Sequence, residues 1–204
     1  MGKNCYTREQ IETAVKEKGY KWFDDSNNKG YDVNIVGVRN AETGDRVTNR
    51  FDDCVTVSYK KNGEWKCFCF EATTDPGDDY MNDPIVKEKG CAILKEGQYR
   101  GSHKIRLHAG KYPALGQKKP VTVYRDNNND NKYDRNEAKV DEGLFGINIH
   151  RATSREGKTS TYVDKWSAGC QVISSNDDWK KFMAICERAK DIHGNSFSYT
   201  LLSS

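Results

Sequence analysis

The chain has 204 residues, with 33 Lys and Arg against 30 Asp and Glu, a formal net charge of +3. Hydrophobic residues make up 35% and charged residues 31%, and no apolar run reaches the roughly 20 residues that span a bilayer, so no membrane span is expected. So small a net charge gives no argument for nucleic acid as a partner, whereas 4 Trp and 11 Tyr can fill a core. The N-terminal MGKNCYTREQ lacks an apolar h-region, so the expected site of synthesis is the cytoplasm, with no signal peptide.

Thr7-Arg8-Glu9-Gln10 is a capping box, and Ile11, Ala14 and Val15 follow at helical spacing, which predicts a helix over 8–18. Gly19 stops it and 24–30 reads as a loop. Residues 1–29 are thus an N-terminal helix and linker, and 30–204 a single β-rich domain. Val33 and Ile35 alternate with polar neighbours, but Val36 and Val38 fall on the opposite face. That strand is covered on both sides or bulged near Gly37. Val55, Val57 and Tyr59 predict a second strand and 65–70 a third, joined at the hairpin signal Asn62-Gly63. Residues 73–79 read as a loop. Two further strands fall within 92–108, another at 121–124, and 144–150 (LFGINIH) reads as one apolar strand. Trp179, Phe182, Met183, Cys186 and Ala189 then mark one face of a C-terminal helix, with Asp177 and Asp178 at its positive end. Gly194-Asn195 ends it and 197–202 is a final strand. The fold class is mainly β (α+β).

The 7 cysteines are an odd number, and without a signal peptide reduced thiols are expected. Cys67 and Cys69 share a strand face. No C-x-x-C pair offers a zinc site, and Cys186 belongs to the core face of the last helix.

The segment 126–137, DNNNDNKYDRNE, fits the spacing of an EF-hand-type calcium loop. Asp126, Asn128 and Asp130 stand at positions 1, 3 and 5. Lys132 would offer its carbonyl at 7, with Asp134 at 9 and Glu137 at 12. Asn131 replaces the usual Gly, a substitution Asn tolerates in the left-handed region. A strand precedes the loop, not a helix. The segment is therefore either an isolated structural Ca²⁺ loop or an acidic, Asn-rich surface turn.

His150 ends the strand GINIH, and Cys170 follows within Trp166-Ser167-Ala168-Gly169-Cys170-Gln171. A nucleophilic thiol needs a base to take its proton, and histidine suits that at neutral pH. Gly169 permits a sharp turn beside the sulfur, and small neighbours leave room for backbone N–H groups to face an oxyanion. The alternative is that Cys170 is a small buried hydrophobe and His150 a satisfied strand-end residue.

This stretch resembles the YkuD-type L,D-transpeptidase family, in which a strand-end His is followed, after a loop, by [Ser/Thr]-His-Gly-Cys. Residues 151–166 form that loop here, and Ser167, Gly169 and Cys170 match the motif. The segment GQYRGSHKIRLHAG looks like the family's strand leading to the site, so the resemblance covers about 98–204. The SAGCQ variant also resembles that of a set of phage and bacterial relatives. Ala168 stands in place of the second motif His, Val172 in place of an Arg or Asn, and Arg151 in place of a Gly.

The resemblance implies a β-sandwich or barrel with helices packed on the sheet, acting on peptidoglycan stem peptides as a monomer with no catalytic cofactor. Cys170 would attack a peptide carbonyl to form a thioester, and His150 would shuttle the proton. The Arg151 carbonyl would orient the imidazole, and the N–H groups of Cys170 and Gly169 would meet the oxyanion. Trp166, Gln171 and His103 are expected to line the substrate pocket. Loss of the second His keeps open a non-catalytic cell-wall-binding or structural module on the same scaffold. The substrate lies in the wall or periplasm, so either reading needs an export route or a phage-type release.

Overall fold

The computed structural model describes residues 6–204; Cys5 lies outside them. Helix α1 (Arg8–Glu17) opens with the capping box: the Thr7 side chain accepts from the Gln10 N–H, and the Gln10 side chain accepts from the Thr7 N–H. Its buried residues Ile11 and Val15 pack with Trp22 on Val36, Val38, Cys54 and Leu202. These last four lie on β1 (Asn34–Arg39), β2 (Asp53–Lys61) and β11 (Phe197–Ser203). Strand β1 is therefore buried on both faces along its length, and its register against β2 and β11 runs without a bulge. Gly37 serves close approach: a Cβ there would lie 1.9 Å from the Tyr199 hydroxyl.

Strands β2 and β3 (Glu64–Thr73) form the hairpin expected at Asn62-Gly63, both with positive φ (54° and 79°), which matches the strand twist. The barrel is completed by β5 (Gly97–His108), β6 (Tyr112–Gln117), β9 (Ile149–Arg151) and β10 (Gln171–Ile173). It closes in the order β1, β11, β5, β6, β9, β10, β3, β2. Two of its pairs, β1 with β11 and β9 with β10, are parallel. A second sheet of β4 (Cys91–Leu94), β7 (Val121–Asp126) and β8 (Val140–Gly143) lies in the order β4, β7, β8. The interior is built from Ile35, Val55, Val57, Phe70, Leu115, Ile149, Ile173, Tyr199 and Leu201. Trp179, Phe182, Met183, Cys186 and Ala189 of α3 (Asn176–His193) join that same cluster, as their spacing requires.

Two expectations change. The segment 73–79 includes the start of a short helix, α2 (Asp78–Asn82). The apolar run 144–150 is a strand only from Ile149. Gly146 turns the chain at φ 75°, and the Gln117 side-chain carbonyl accepts from the N–H groups of Phe145 (3.1 Å) and Ile147 (2.9 Å). One amide side chain thus supplies the partners a ladder would have given.

Candidate active site

Strand β9 carries His150 and β10 begins one residue after Cys170. The two strands pair in parallel, with Ile149 opposite Gln171 and His150 opposite Val172. Side chains alternate along a strand. Ile149, Gln171 and Ile173 therefore enter the barrel, while His150, Cys170 and Val172 share its outer face. Cys170 is half-buried and packs on the cluster of Phe51, Ala152, Val163 and Val172.

The approach to Cys170 is a built turn. Ser167 is fully buried; its hydroxyl donates to the Cys170 carbonyl at 2.8 Å and accepts from the Gly169 N–H at 3.1 Å. Gly169 has φ 119°, and a Cβ there would lie 2.3 Å from the Ala92 carbonyl oxygen. The Gly169 N–H, expected at an oxyanion, is therefore already engaged by Ser167. Among the described residues no acceptor takes the Cys170 N–H.

His150 is buried. Its Nδ1 lies 2.9 Å from the Arg151 carbonyl oxygen. A carbonyl only accepts, so Nδ1 carries the proton and Nε2 keeps its lone pair. The Tyr112 hydroxyl stands 3.4 Å from Nδ1 and 3.5 Å from the Arg151 carbonyl oxygen. The Arg151 guanidinium covers the Tyr112 ring at 4.2 Å and reaches Asn176. The His108 ring stacks on that of His150 at 4.2 Å, and the Asn148 amide lies 3.3 Å from His108 Nδ1.

These surroundings set the charges. Burial, and then the neighbouring His108, push His150 down to about 4. Burial pushes the Cys170 thiol up to about 11, against a smaller opposite effect of the Asn148 N–H. Its Sγ–H donates to the Gly146 carbonyl at 3.3 Å. At neutral pH the pair therefore rests as thiol and neutral imidazole, not as a thiolate–imidazolium pair. The thiol is un-ionised and turned to Gly146, and among the described residues no hydrogen bond joins it to His150.

The other sequence candidates separate. Gln171 is fully buried inside the barrel, where its carbonyl accepts from the Tyr199 hydroxyl at 2.7 Å and its amide donates to the Gly169 carbonyl at 3.2 Å. His103 is also internal, between Ser102 (2.8 Å) and the Ile147 carbonyl (2.9 Å), and burial pushes it down to about 4. Both therefore brace the barrel beneath the site, so the expected pocket-lining role for them is replaced by an internal one. Trp166 is exposed. His108, Tyr112 and Asn148 are the neighbours that sequence reasoning missed. His108 and Tyr112 close the hairpin at Ala109-Gly110, where both residues take positive φ (48° and 71°).

In the segment 126–137 the backbone curls around its own side chains. Asn128 Oδ1 accepts from the Asp130 N–H, Asp130 Oδ1 from the Lys132 N–H, and Asp126 Oδ2 from the Asp134 N–H. The Asn128 amide donates to Asp134 at 3.1 Å, and Asn131 takes φ 63°. Glu137 turns elsewhere, to Lys95 and, at 3.0 Å, the Tyr124 hydroxyl. Among the described residues, the acidic oxygens that do converge are those of Asp78, Asp79 and Asp164.

A larger cleft of about 700 Å³ lies apart from Cys170 and His150, lined by Glu42, Arg46, Asp52, Asp53, Glu71 and Asp178 among others. No helix among the described residues is long and apolar enough to cross a membrane. Architecture and site together define a β-barrel chain with a histidine and a cysteine on one outer sheet face. Compared with family models, curated proteins and solved structures, it matches none.

Proposed function

We propose that the chain is a cysteine acyltransferase or peptidase of the L,D-transpeptidase type, acting on peptidoglycan stem peptides. The observation that carries this reading is the His150 Nδ1–H to Arg151 carbonyl bond, which leaves Nε2 as the free base on the face that Cys170 shares. Cys170 Sγ attacks the carbonyl carbon as its proton passes to His150 Nε2. The Cys170 N–H receives the oxyanion. The amine leaves with the proton from Nε2, and the thioester is resolved by a second amine or by water.

A second reading is favoured by two observations. The high thiol pKa and the absence of the motif His at Ala168 suit a non-catalytic wall-binding module. Incubation with muropeptides and mass analysis separates the two. New cross-linked or trimmed products from the wild type, lost in Cys170→Ala with the melting temperature unchanged, are the expected result. Identical products from both proteins would leave only the binding module.

A further inference from the structure

We propose that the outer face of the β5–β6 hairpin is a docking track for a linear polyol-phosphate polymer, a chain of phosphodiesters that carries no bases. The track is independent of the chemistry at Cys170.

The hairpin and its exit, residues 97–120, hold six cations, Arg100, Lys104, Arg106, Lys111, Lys118 and Lys119, and no Asp or Glu. Of the chain's 33 Lys and Arg, the other 27 lie elsewhere, together with all 30 acids. The near-neutral total therefore hides a charge of +6 on one hairpin and −3 on the rest. The strands on either side add no acid: β11 is uncharged, and β9 brings only His150 and Arg151. Arg8, Arg39, Arg125 and Arg135 all pair with acids, but among the described residues no carboxylate pairs with any of the six. A field of one sign without an internal partner attracts its complement from outside.

The cations form a row. Alternation along β5 puts Lys104 and Arg106 on the outer face, opposite Gly116 and Ala114 of β6, about 7 Å apart along the strand. Those two partners are nearly without side chain, so the floor there is bare, a shallow trough of about 160 Å³ walled by Asn148. Lys118 follows Gln117, the partner of His103, and so lies beside Lys104. Burial, and then the charges of Lys119 and Lys104, hold the Lys118 ammonium below its usual value. Lys119 Nζ donates to the Arg100 carbonyl at 3.5 Å, which continues the row, and Lys111 stands in the turn at its other end. Such a row fits a linear anion better than a compact one.

Two features select the kind of anion. A nucleic-acid strand stacks its bases on free rings, but here Arg100 covers the Phe23 ring at 5.1 Å, Arg151 covers Tyr112 at 4.2 Å and His108 stacks on His150. A bilayer needs several apolar anchors beside the cations, and Leu107 is the hairpin's single exposed large hydrophobic. A flexible phosphodiester chain needs only spaced cations over a smooth floor.

The test measures binding of fluorescein-labelled poly(glycerol phosphate) to the full chain by anisotropy, at about 50 and about 200 mM salt. The wild type is expected to bind, and to weaken steeply over that range. Lys104→Gln, Arg106→Gln and Lys119→Gln combined are expected to weaken binding at least about tenfold at the lower salt and to flatten the salt slope. Lys29→Gln, Lys61→Gln and Arg188→Gln combined remove equal charge around a separate cavity at the β2–β3 turn. That control should change binding by less than about twofold. Equal weakening by the two triple variants would overturn the track, since net charge alone would then set the affinity. No binding by the wild type, tighter binding of oligo(dT) with the same number of phosphates, or capture only by phosphatidylglycerol vesicles would overturn it as well.

Discussion

His103 bears no exposed surface, and its two nitrogens are taken by Ser102 and the Ile147 carbonyl. Burial outweighs the bond to Ile147 and brings its pKa to about 4, against an ordinary 6.5. The unfolded chain therefore binds a proton below about 6.5 that the folded chain refuses until about 4. The stability of the neutral, buried ring is present above 6.5 and is lost as pH falls through that window. His150, held down to about 4 by burial and His108, adds a loss of the same sign. His103→Gln keeps a donor for the Ile147 carbonyl but cannot titrate. Its stability deficit at pH 7 should shrink by about 2 kcal/mol by pH 4.5. Urea unfolding at the two pH values checks this, and a deficit that does not change with pH would mean that His103 titrates alike in the folded and unfolded chain.

At the scale of elements, the site depends on a three-layer contact that begins on the other side of the barrel. Gly37 of β1 leaves space for the Tyr199 hydroxyl of β11, which donates to Gln171 at the start of β10. Gly37→Ala places a methyl 1.9 Å from that oxygen, an overpacking that costs about 3 kcal/mol. Tyr199→Phe alone strands the Gln171 carbonyl and costs about 1–3 kcal/mol. Because the second change removes the atom that the first collides with, the double variant should be more stable than the sum by at least about 1 kcal/mol. Simple additivity in a denaturation cycle would show that β1 has moved instead. Local signals made much of this scale legible. The capping box and the apolar stripe fixed α1 and α3, and Asn62-Gly63 fixed the first hairpin. Alternation from Cys170 also implied that Gln171 turns inward, but a strand of three residues is too short to announce its own period. His108 lies on the face of β5 opposite His103. That this face meets His150 follows only from β6 lying between β5 and β9, a non-local pairing with no trace in either segment. The run 144–148 misled because its partner is one side chain, Gln117, in place of a strand.

Across the whole molecule, the barrel and the second sheet are riveted by charge. Arg39, at the end of β1 and 2% exposed, pairs with Asp75 at 3.0 Å and with Glu96, and donates to the carbonyls of Leu94 (2.9 Å) and Thr74 (3.3 Å). Arg135, in the connection from β7 to β8, holds the other oxygen of Asp75 at 3.0 Å. Four chain segments meet at these few atoms, so removing one partner leaves the rest buried and uncompensated. Arg39→Met should cost about 3–5 kcal/mol, with little dependence on salt because the pairs are shielded from it. Nearby Asp53 accepts from the N–H groups of Asn40 and Thr74 and from the Thr74 hydroxyl, yet burial and then Asp75 raise it to about 7. An acid raised in this way holds its proton in the fold between about 4 and 7, where the unfolded chain has released it. Its contribution is therefore lost as pH rises through that window, opposite in sign to the two histidines. The Arg39 charge limits that loss. In Arg39→Met the window extends upward, and the stability gap between variant and wild type should widen from pH 4.5 to pH 7.5 in matched urea titrations. A gap of constant size would mean that Asp53 is ionised throughout, held by its three donors without help from Arg39.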